Sequence, residues 1–301
     1  MAPTLELIHV RKAYAGLVAV DDLSLSLTPG TIFGLLGPNG AGKTSAIRMM
    51  IGILAPDSGS VRIFDAPLTR HVTRHIGYLP EERGLYRKMT VADNLRFIGE
   101  LAGLSRRDAA SRGAKWTERL RIGEWLNRKV EELSKGMQQK IQFIAALLHE
   151  PELIVMDEPF GGLDPVNANE LKDIVIDLKR QGRTILLSTH RMDQAEKLCD
   201  EICLINRGRA VLNGHIREIK AAAGKRSIEI DLDSSAAFLA ASPLIEQFND
   251  FGNSAEVTLR NGADSQEFLK TAMSQARVLR FEVREPSLEE IFVRAVREPN
   301  A

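Results

Sequence analysis

The stretch GPNGAGKT, residues 37–44, constrains the fold of this chain more than any other segment. It fits the pattern G-x-x-x-x-G-K-[ST], follows the apolar run TIFGLL and precedes a run with helical periodicity. Glycines let consecutive backbone N–H groups turn inward around phosphate oxygens, and the N-terminus of the following helix adds partial positive charge. The segment therefore predicts a phosphate-binding loop between a strand and a helix.

Three side chains at the end of this loop supply most of its chemistry. Lys43 can place a point charge beside β- and γ-phosphates, the Thr44 hydroxyl can ligate Mg²⁺, and Ser45 can bond an α-phosphate. The loop thus indicates a nucleoside triphosphate rather than a single phosphate group.

Two apolar runs farther along the chain end in polar residues. LIVMDE ends in Asp157 and Glu158, and TILLSTH ends in His190. Buried parallel strands deliver such residues to the carboxyl edge of a sheet, where ligands bind in α/β proteins. Asp157 suits support of Mg²⁺, Glu158 suits a base that polarises the attacking water, and His190 would lie within reach of the γ-phosphate.

The segment LSKGMQQK, residues 133–140, has no acid and no metal ligand, yet it opens a run with helical periodicity. Ser134 is a plausible N-cap, and Gly136 leaves room for another group to approach the backbone closely. The segment therefore predicts an uncovered helix N-terminus, whose ligand the residues alone do not identify.

The order of predicted elements indicates two domains. In residues 1–220 strands alternate with helices, which favours an α/β domain with a parallel sheet, and we interpret the Arg-rich helical stretch 90–130 as a solvated face. Residues 225–301 predict a second, α+β domain of about 75 residues, with SSAAFLAA as its first helix. At its last helix, Ser287 and Glu290 have the spacing of a capping box.

Charge balance and apolar content narrow the choice of partner and compartment. Lys plus Arg and Asp plus Glu both total 40, which disfavours nucleic acid and anionic membrane surfaces as partners. No apolar run approaches the roughly 20 residues that span a bilayer, and the N-terminal segment has no signal-peptide core. Cys199 and Cys203 fit a reducing compartment, and we expect both to be small buried side chains on one helix face or near a helix end. These features predict a cytoplasmic chain whose membrane role depends on a partner.

Taken together, the motifs resemble those of the nucleotide-binding subunit of an ATP-binding-cassette (ABC) transporter. GPNGAGKT resembles its Walker A, LIVMDEP its Walker B, LSKGM its LSGGQ signature, GGLDP its D-loop, STH its switch histidine and IGYLPEERGLY its Q-loop. The resemblance covers residues 1–215 approximately, with order and spacing preserved. Together with the appended C-terminal domain, the pattern is most similar to a bacterial branch that includes sodium-exporting and drug-exporting transporters.

For the fold, the resemblance implies an α/β P-loop NTPase of ABC type. The expected parts are an antiparallel β subdomain, a RecA-like parallel-sheet core and a helical subdomain at about 88–150, all within residues 1–220. A small C-terminal α+β accessory domain, 225–301, follows.

For the function, the resemblance implies an ATP-binding and ATP-hydrolysing, Mg-dependent motor subunit that drives a separate membrane permease, with export expected for this branch. Expected partners are a second copy or a paralogous ATPase subunit and an integral membrane permease, with no nucleic acid. The expected location is the cytoplasm, peripheral at the cytoplasmic face of the cell membrane.

The resemblance also implies a role for each motif residue. Glu158 is the expected base, His190 is expected to contact the γ-phosphate, and Glu81 occupies the Q-loop position of the catalytic site. The expected Mg²⁺ ligands are Thr44, Asp157 and Glu81. The residues expected to bind ATP are Tyr14, which would stack on adenine, Gly37, Pro38, Asn39, Gly40, Ala41, Gly42, Lys43, Thr44, Ser45, Ser134, Lys135, Gly136 and Asp164.

In this family two subunits pack head to tail, which would explain the uncovered helix. Ser134 and Gly136 of one subunit would face the γ-phosphate held by the Walker A loop of the other, and Asp164 would communicate across the dimer. The segment 81–94 and the helices after it would receive the permease. ATP would then join two protein surfaces, and its hydrolysis would separate them.

Two motifs depart from the family pattern. Glu81 replaces the Q-loop glutamine, so a carboxylate could still bind Mg²⁺ or water but adds negative charge; we interpret it as a variant coupling element. In the signature, Lys135 replaces glycine and Met137 replaces glutamine. Lys135 could add charge to the opposite phosphate site or point to solvent, and the sequence leaves both open.

Two other classes share parts of this pattern. Soluble ABC-type ATPases of chromosome maintenance and DNA repair insert long coiled coils between Walker A and the signature, whereas only about 90 residues without sustained heptads intervene here. Ribosome-associated types carry two cassettes, and this chain has one. A P-loop kinase or GTPase would have no use for LSKGMQQK. A transporter subunit is therefore favoured, with a soluble ABC-type ATPase as the alternative.

Overall fold

The computed structural model describes residues 2–69, 71–82, 84–223, 227–260 and 262–297. The chain divides into two compact units, Met1–Ile216 and Arg217–Ala301. Within the described ranges, none of the helices has both the length and the apolar character needed to cross a membrane.

The first unit contains ten strands and six helices in the described residues. The strands are β1 (Leu5–Tyr14), β2 (Leu17–Leu27), β3 (Ile32–Leu36), β4 (Ser58–Ile63), β5 (Ala66–Pro67), β6 (Ile76–Leu79), β7 (Leu153–Asp157), β8 (Thr184–Thr189), β9 (Glu201–Asn206) and β10 (Arg209–His215). The helices are α1 (Lys43–Met50), α2 (Val91–Leu101), α3 (Arg106–Arg119), α4 (Lys135–Leu147), α5 (Pro165–Arg180) and α6 (Met192–Leu198). A further helix, α7 (Ile216–Ala222), begins at the boundary between the units.

A six-stranded sheet in the order β10-β9-β3-β8-β7-β6 forms the centre of this unit. All neighbouring pairs are parallel except β10 with β9. Every residue of β3, β7 and β8 is buried, because helices and the second sheet cover both faces of these apolar runs. The predicted parallel-sheet core is confirmed, and its carboxyl edge carries the ends of β3, β7 and β8.

A second, antiparallel sheet has the order β2-β1-β4-β5. Its inner face, which includes Leu5, Leu7 and Leu23, packs into the same apolar cluster as Ile47 and Met50 of α1. Hydrophobic residues alternate with exposed ones along the end of β2, as expected for a sheet with one buried face. This packing holds the β1–β2 hairpin beside the helix that follows the phosphate-binding loop.

Helices α2, α3 and α4 pack together, and a side-chain cap begins each of them. Thr90, Ser105 and Ser134 each accept a hydrogen bond from a backbone N–H three residues later. The Arg-rich α3 buries only Ala109, Gly113 and Thr117, which lie four residues apart on one face. Its predicted solvated face and the predicted Ser134 cap are therefore confirmed.

The second unit is α+β, as predicted. It contains β11 (Ser227–Leu232), β12 (Ile245–Asp250), β13 (Ser254–Leu259), α8 (Ser265–Gln275), β14 (Val278–Arg284) and α9 (Leu288–Arg297), with an antiparallel sheet in the order β12-β13-β11-β14. Ser287 N–H donates to Glu290 Oε2 at 2.7 Å and Glu290 N–H donates to Ser287 Oγ at 3.2 Å, so the capping box is confirmed. Residues 224–226, where the predicted second domain begins, lie outside the described residues, as does Arg83 of the Q-loop.

Two local predictions were wrong. SSAAFLAA forms a short 3₁₀ helix, Ala236–Ala241, rather than an α-helix; its fully buried residues, Ala236 and Leu239, have the three-residue spacing of a 3₁₀ helix. The two cysteines do not share a helix: Cys199 ends α6, whereas Cys203 lies within β9. Both nevertheless pack into the apolar interior as predicted, and burial raises the pKa of the Cys203 thiol to about 12.

Candidate nucleotide-binding site

A cavity of about 1010 Å³ lies at the carboxyl edge of the parallel sheet. It is lined by twelve of the residues selected from sequence: Tyr14, Asn39, Gly40, Ala41, Gly42, Lys43, Thr44, Ser45, Glu81, Asp157, Glu158 and His190. Six selected residues lie outside its lining: Gly37, Pro38, Ser134, Lys135, Gly136 and Asp164. Gly37 and Pro38 begin the phosphate-binding loop itself, whereas the other four residues lie around the beginnings of α4 and α5.

Close backbone packing explains two of the loop glycines. At Gly37, with φ of +152°, an added Cβ would lie 2.2 Å from the carbonyl oxygen of Ile205. At Gly42, with φ of +107°, it would lie 2.2 Å from the carbonyl oxygen of Ala19. Because neither backbone can yield by that much, these positions require glycine, and the loop is held between β2 and β9.

Lys43 is the buried cation of the loop. Its Nζ donates to the carbonyl oxygens of Gly37 at 2.8 Å and Pro38 at 3.1 Å. Burial lowers the pKa of Lys43, and the negative charges of Glu158, Asp157 and Glu81 partly oppose that shift. A bound polyphosphate would oppose it further, so this is an environment in which an anion is favoured.

Asp157, at the end of β7, is buried beside two hydroxyl groups. Thr44 Oγ1 donates to its Oδ2 at 3.1 Å, and Ser188 Oγ donates to its Oδ1. Carboxylate and hydroxyl oxygens are the ligands that Mg²⁺ prefers, and Mg²⁺ usually takes few protein ligands and completes its shell with phosphates and water. Among the described residues no group of three or more His, Cys, Asp or Glu side chains could hold a metal alone. Because Mg²⁺ takes few protein ligands, Thr44 and Asp157 fit a Mg²⁺ ion that a bound nucleotide brings with it.

Glu158 and His190 form a hydrogen-bonded pair across the ends of β7 and β8. Glu158 Oε1 accepts from the His190 backbone N–H at 2.9 Å and lies 2.7 Å from His190 Nδ1, and Thr189 Oγ1 donates to Oε2 at 3.3 Å. Glu158 also has a φ of +48°, an uncommon conformation for a non-glycine residue. The carboxylate is thus held in one orientation at the cavity wall, as a group that accepts a proton must be.

Tyr14, the last residue of β1, lines the cavity beside the end of the phosphate-binding loop. Its hydroxyl lies 3.5 Å from Ser45 Oγ, at the outer limit for a hydrogen bond, and 41% of the residue is exposed. An exposed aromatic ring beside a phosphate-binding loop offers a face for a nucleotide base.

The signature residues begin α4 outside this cavity. Ser134 and Lys135 are exposed, and Ser134 Oγ accepts from the Met137 N–H at 3.3 Å. Met137, the departure from glutamine, packs against the apolar core. Gly136 differs from the loop glycines, because a Cβ there would meet nothing closer than 3.5 Å, the Asn167 side-chain nitrogen.

Asp164 caps α5 rather than lining the cavity. Its Oδ1 accepts from the backbone N–H groups of Asn167 and Val166, both at 3.0 Å. These hydrogen bonds, of which the one from the Asn167 backbone N–H has the largest effect, hold the pKa of Asp164 below its usual value. In the isolated chain Asp164 is thus fully engaged in helix capping.

Sequence reasoning missed two groups of residues at the site. The cavity is also lined by residues that were not selected from sequence: Leu17, Val18 and Ala19 at the start of β2, and Gln139, Gly161, Gly162 and Arg207. Gln139 Nε2 donates to the Pro159 carbonyl at 3.3 Å, and the buried Gln142 Nε2 donates to the carbonyls of Pro80 and Glu82, both at 2.9 Å. Gln139 and Gln142, two of the three glutamines of α4, therefore bind the backbone next to Glu158 and on both sides of Glu81. The repeated glutamines of QQKIQ are the only sequence signal that could have identified them.

Two family models match the chain. One, described as ABC transporter, matches residues 20–161; the other, described as the C-terminal domain of DrrA1-3-like ATP-binding proteins, matches residues 214–296.

Individual proteins match over most of the chain. An uncharacterised ABC transporter ATP-binding protein of Bacillus subtilis, YhaQ, is 44% identical over 96% of this chain and 97% of its own length. The Nod factor export ATP-binding protein I of Cupriavidus metallidurans is 38% identical over 73% of each. A solved ATP-binding subunit of an ABC transporter superposes with a TM-score of 0.68 and 32% identity, covering 73% of this chain and 93% of that one.

Proposed function

Because the chain belongs to the family of ABC transporter ATP-binding proteins, we propose that two copies of it pack head to tail and complete each other's ATP site. In this proposal the cavity of one copy binds ATP with the residues of its phosphate loop, and Ser134 and Gly136 of the other copy cover the γ-phosphate. A paralogous ATPase subunit could take the place of the second copy.

The observation that carries this proposal is the contrast between glycines. Gly37 and Gly42 are required by backbone oxygens 2.2 Å from an added Cβ, whereas a Cβ at Gly136 would make only ordinary van der Waals contacts, at 3.5 Å or more, and Gly136 lies outside the cavity. A glycine that its own fold does not need, at an exposed N-terminus of a 13-residue helix, is what a phosphate approaching from outside would require.

The chemistry follows from the placement of the side chains. Glu158 takes a proton from the attacking water, whose oxygen bonds to the γ-phosphorus as the bond to the ADP oxygen breaks, giving ADP and phosphate. Thr189 and His190 hold the Glu158 carboxylate, and Lys43 stabilises negative charge on the phosphates. Mg²⁺, when bound, would neutralise phosphate charge, and Thr44 and Asp157, with Glu81 nearby, are the residues that would hold it.

We further propose that this motor drives an exporter through a separate membrane permease, and that it lies at the cytoplasmic face of the cell membrane without a role for nucleic acid. The support for export is the name of several relatives, which are Nod factor export proteins. The segment 81–94 would receive the permease, because Gln142 joins the backbone around Glu81 to α4. The C-terminal unit, which we propose to be an accessory domain from about residue 225, would assist the dimer.

Mixing two inactive variants tests the shared site. Lys43→Ala removes the phosphate-loop cation, and Gly136→Asp places a negative charge against the opposite phosphate, so each variant alone should hydrolyse ATP poorly. With random pairing, half of the dimers are mixed and each mixed dimer has one intact site of two, so the mixture should recover about a quarter of the wild-type rate. Phosphate release from each variant and from the mixture at equal total protein measures this.

Three outcomes of that experiment decide whether the site is shared between two chains. Recovery supports a site built from two chains. No recovery with both variants folded, as judged by circular dichroism, contradicts it. Full activity of Gly136→Asp alone would also contradict it, because a carboxylate facing the opposite γ-phosphate should repel it; a Cβ at position 136 meets no atom closer than 3.5 Å, so the backbone there can accept a side chain.

Association with a membrane protein distinguishes the transporter from the soluble alternative. Affinity purification of the tagged chain from detergent-solubilised native membranes should recover a polytopic membrane protein, because a motor of this kind acts through its permease. An untagged membrane preparation is the control. Recovery of ribosomes or DNA alone would favour a soluble ABC-type ATPase and contradict the transport proposal.

A further inference from the structure

The two-residue turn between β9 and β10 has an unusual composition. Arg207 and Gly208 have φ values of +50° and +80°, so both central residues are left-handed, as in a type I′ hairpin turn. The first position of such a turn favours asparagine, aspartate or glycine, and a longer side chain there carries a steric penalty. Turn geometry therefore does not account for an arginine at position 207.

Backbone hydrogen bonds join this turn to the phosphate-binding loop and to β2. Gly208 N–H donates to the Ala41 carbonyl at 2.9 Å, and the Gly208 carbonyl accepts from Asp21 N–H at 2.9 Å. A Cβ at Gly208 would lie only 2.9 Å from the Ala19 carbonyl oxygen, so the backbones are in close contact. The Cα of Arg207 is consequently fixed relative to the cavity.

Two arginines flank this turn, and they differ in their partners. Arg209 binds Asp21 Oδ2 through Nε at 2.9 Å and Nη2 at 2.7 Å. Arg207 is exposed and lines the cavity, and within the part of the chain that the structure describes its guanidinium makes no hydrogen bond or ion pair. A planar cation with five donors is thus available at the cavity wall.

The wall that Arg207 shares is apolar. Tyr14 and Leu17 line the same cavity and are 41% and 69% exposed, and Val18 and Ala19 follow on β2, against which the turn packs. Lys43, by contrast, already serves the phosphate end through its place in the loop. Exposed apolar side chains beside a planar guanidinium form a surface suited to the flat, hydrogen-bonding base and ribose of a nucleotide.

We propose that Arg207 is a further nucleotide-binding residue that contacts the nucleoside end, base and ribose, of the bound nucleotide. The inference rests on the proposed function, because it requires a nucleotide in this cavity. A contact with the nucleoside end stabilises ATP and ADP equally, whereas a contact with the γ-phosphate would stabilise ATP alone.

Arg207→Asn tests the inference, because asparagine suits the type I′ turn better than arginine does. The dissociation constants of ATP and of ADP, measured by isothermal titration calorimetry on the full chain, should both rise about tenfold, as loss of one such cationic contact predicts. The melting temperature should stay the same or rise. Arg209→Gln, which removes a cation of the same hairpin that is already paired, should leave both dissociation constants within about twofold of wild type.

Each other result overturns the inference. Unchanged affinities in Arg207→Asn would show that the guanidinium does not touch the nucleotide, and an equal loss in Arg209→Gln would show a general effect of charge. A loss for ATP without a loss for ADP would place the contact at the γ-phosphate instead. If the unaltered chain binds neither nucleotide, the proposed function itself fails, which is a different result from normal binding that Arg207→Asn leaves unchanged.

Discussion

The Glu158→Gln variant should hydrolyse ATP at least about a hundredfold more slowly than the wild type, since a positioned general base contributes 10²- to 10⁴-fold. The amide cannot accept the proton of the attacking water. Its carbonyl oxygen can still accept from the His190 N–H, which bonds Glu158 Oε1 at 2.9 Å, so the side chain should keep its place. ATP should therefore bind, remain intact and hold two copies together.

Phosphate release and light scattering after size exclusion, both with ATP and Mg²⁺, measure the two parts of this prediction. Asp193→Asn is the matched control: it makes the same change of charge three residues from His190, at an exposed acid paired with Arg191. Normal turnover by Glu158→Gln would show that another group accepts the proton. An inactive variant that binds ATP yet stays monomeric would contradict the shared site while leaving the base assignment intact.

The sequence predicted those parts of the site that depend on the ends of strands. Asp157, Glu158 and His190 stand at the ends of apolar runs. Where apolar strands alternate with helices, each strand becomes a buried parallel strand, and its last residues lie at the carboxyl edge of the sheet. The phosphate loop was predictable for a similar reason, because its glycines and lysine are contiguous in sequence. In both cases local order alone determines the position.

The remaining parts depend on contacts between distant segments, which no local pattern contains. Gly37 packs against the carbonyl of Ile205, and Arg207 reaches the cavity because Gly208 bonds to Ala41. The role of Gln142 likewise depends on where α4 lies relative to Pro80. These pairs are separated by more than 60 residues, so only the folded chain reveals them.

Short or edge elements escaped prediction for a different physical reason. In β12 only Ile245 is buried, so IEQFND lacks the alternation that identifies a strand. Cys199 and Cys203 were expected on one helix face or near a helix end, because their spacing matches one helical turn, yet Cys203 lies in β9, which begins two residues after Cys199. Spacing between two residues is weak evidence when a strand begins between them.

The three departures from the family motifs, Glu81, Lys135 and Met137, lie in three different environments in the fold. Met137, where the family pattern has glutamine, is partly buried and packs against the apolar core. Glu81 lines the cavity, where its charge helps keep Lys43 protonated. Lys135 is exposed at the beginning of α4 and has no role within its own copy's cavity.

Removing the loop cation should have the second large effect. Lys43→Met keeps the buried stem, and Lys43→Ala removes it; both delete the charge and leave the carbonyls of Gly37 and Pro38 without their donor. A hydrogen bond to a charged group contributes about 1.5–3 kcal/mol, so the dissociation constant of ATP should rise by about 10- to 100-fold. The effect should be larger for ATP than for AMP, because Lys43 is proposed to contact the β- and γ-phosphates, which AMP lacks.

Titration of ATP, ADP and AMP by calorimetry measures this difference. Lys135→Met is the control, because it deletes an equal charge at an exposed position outside the cavity and should leave the affinity of a single copy unchanged. Two variants are needed, because Lys43→Ala also opens a void and its loss of affinity could reflect a distorted loop, whereas Lys43→Met fills that space. If Lys43→Met binds ATP as tightly as the wild type does, the lysine neutralises its acidic neighbours and not a phosphate. In that case residues 37–44 cannot be the phosphate-binding loop inferred from their glycines and lysine.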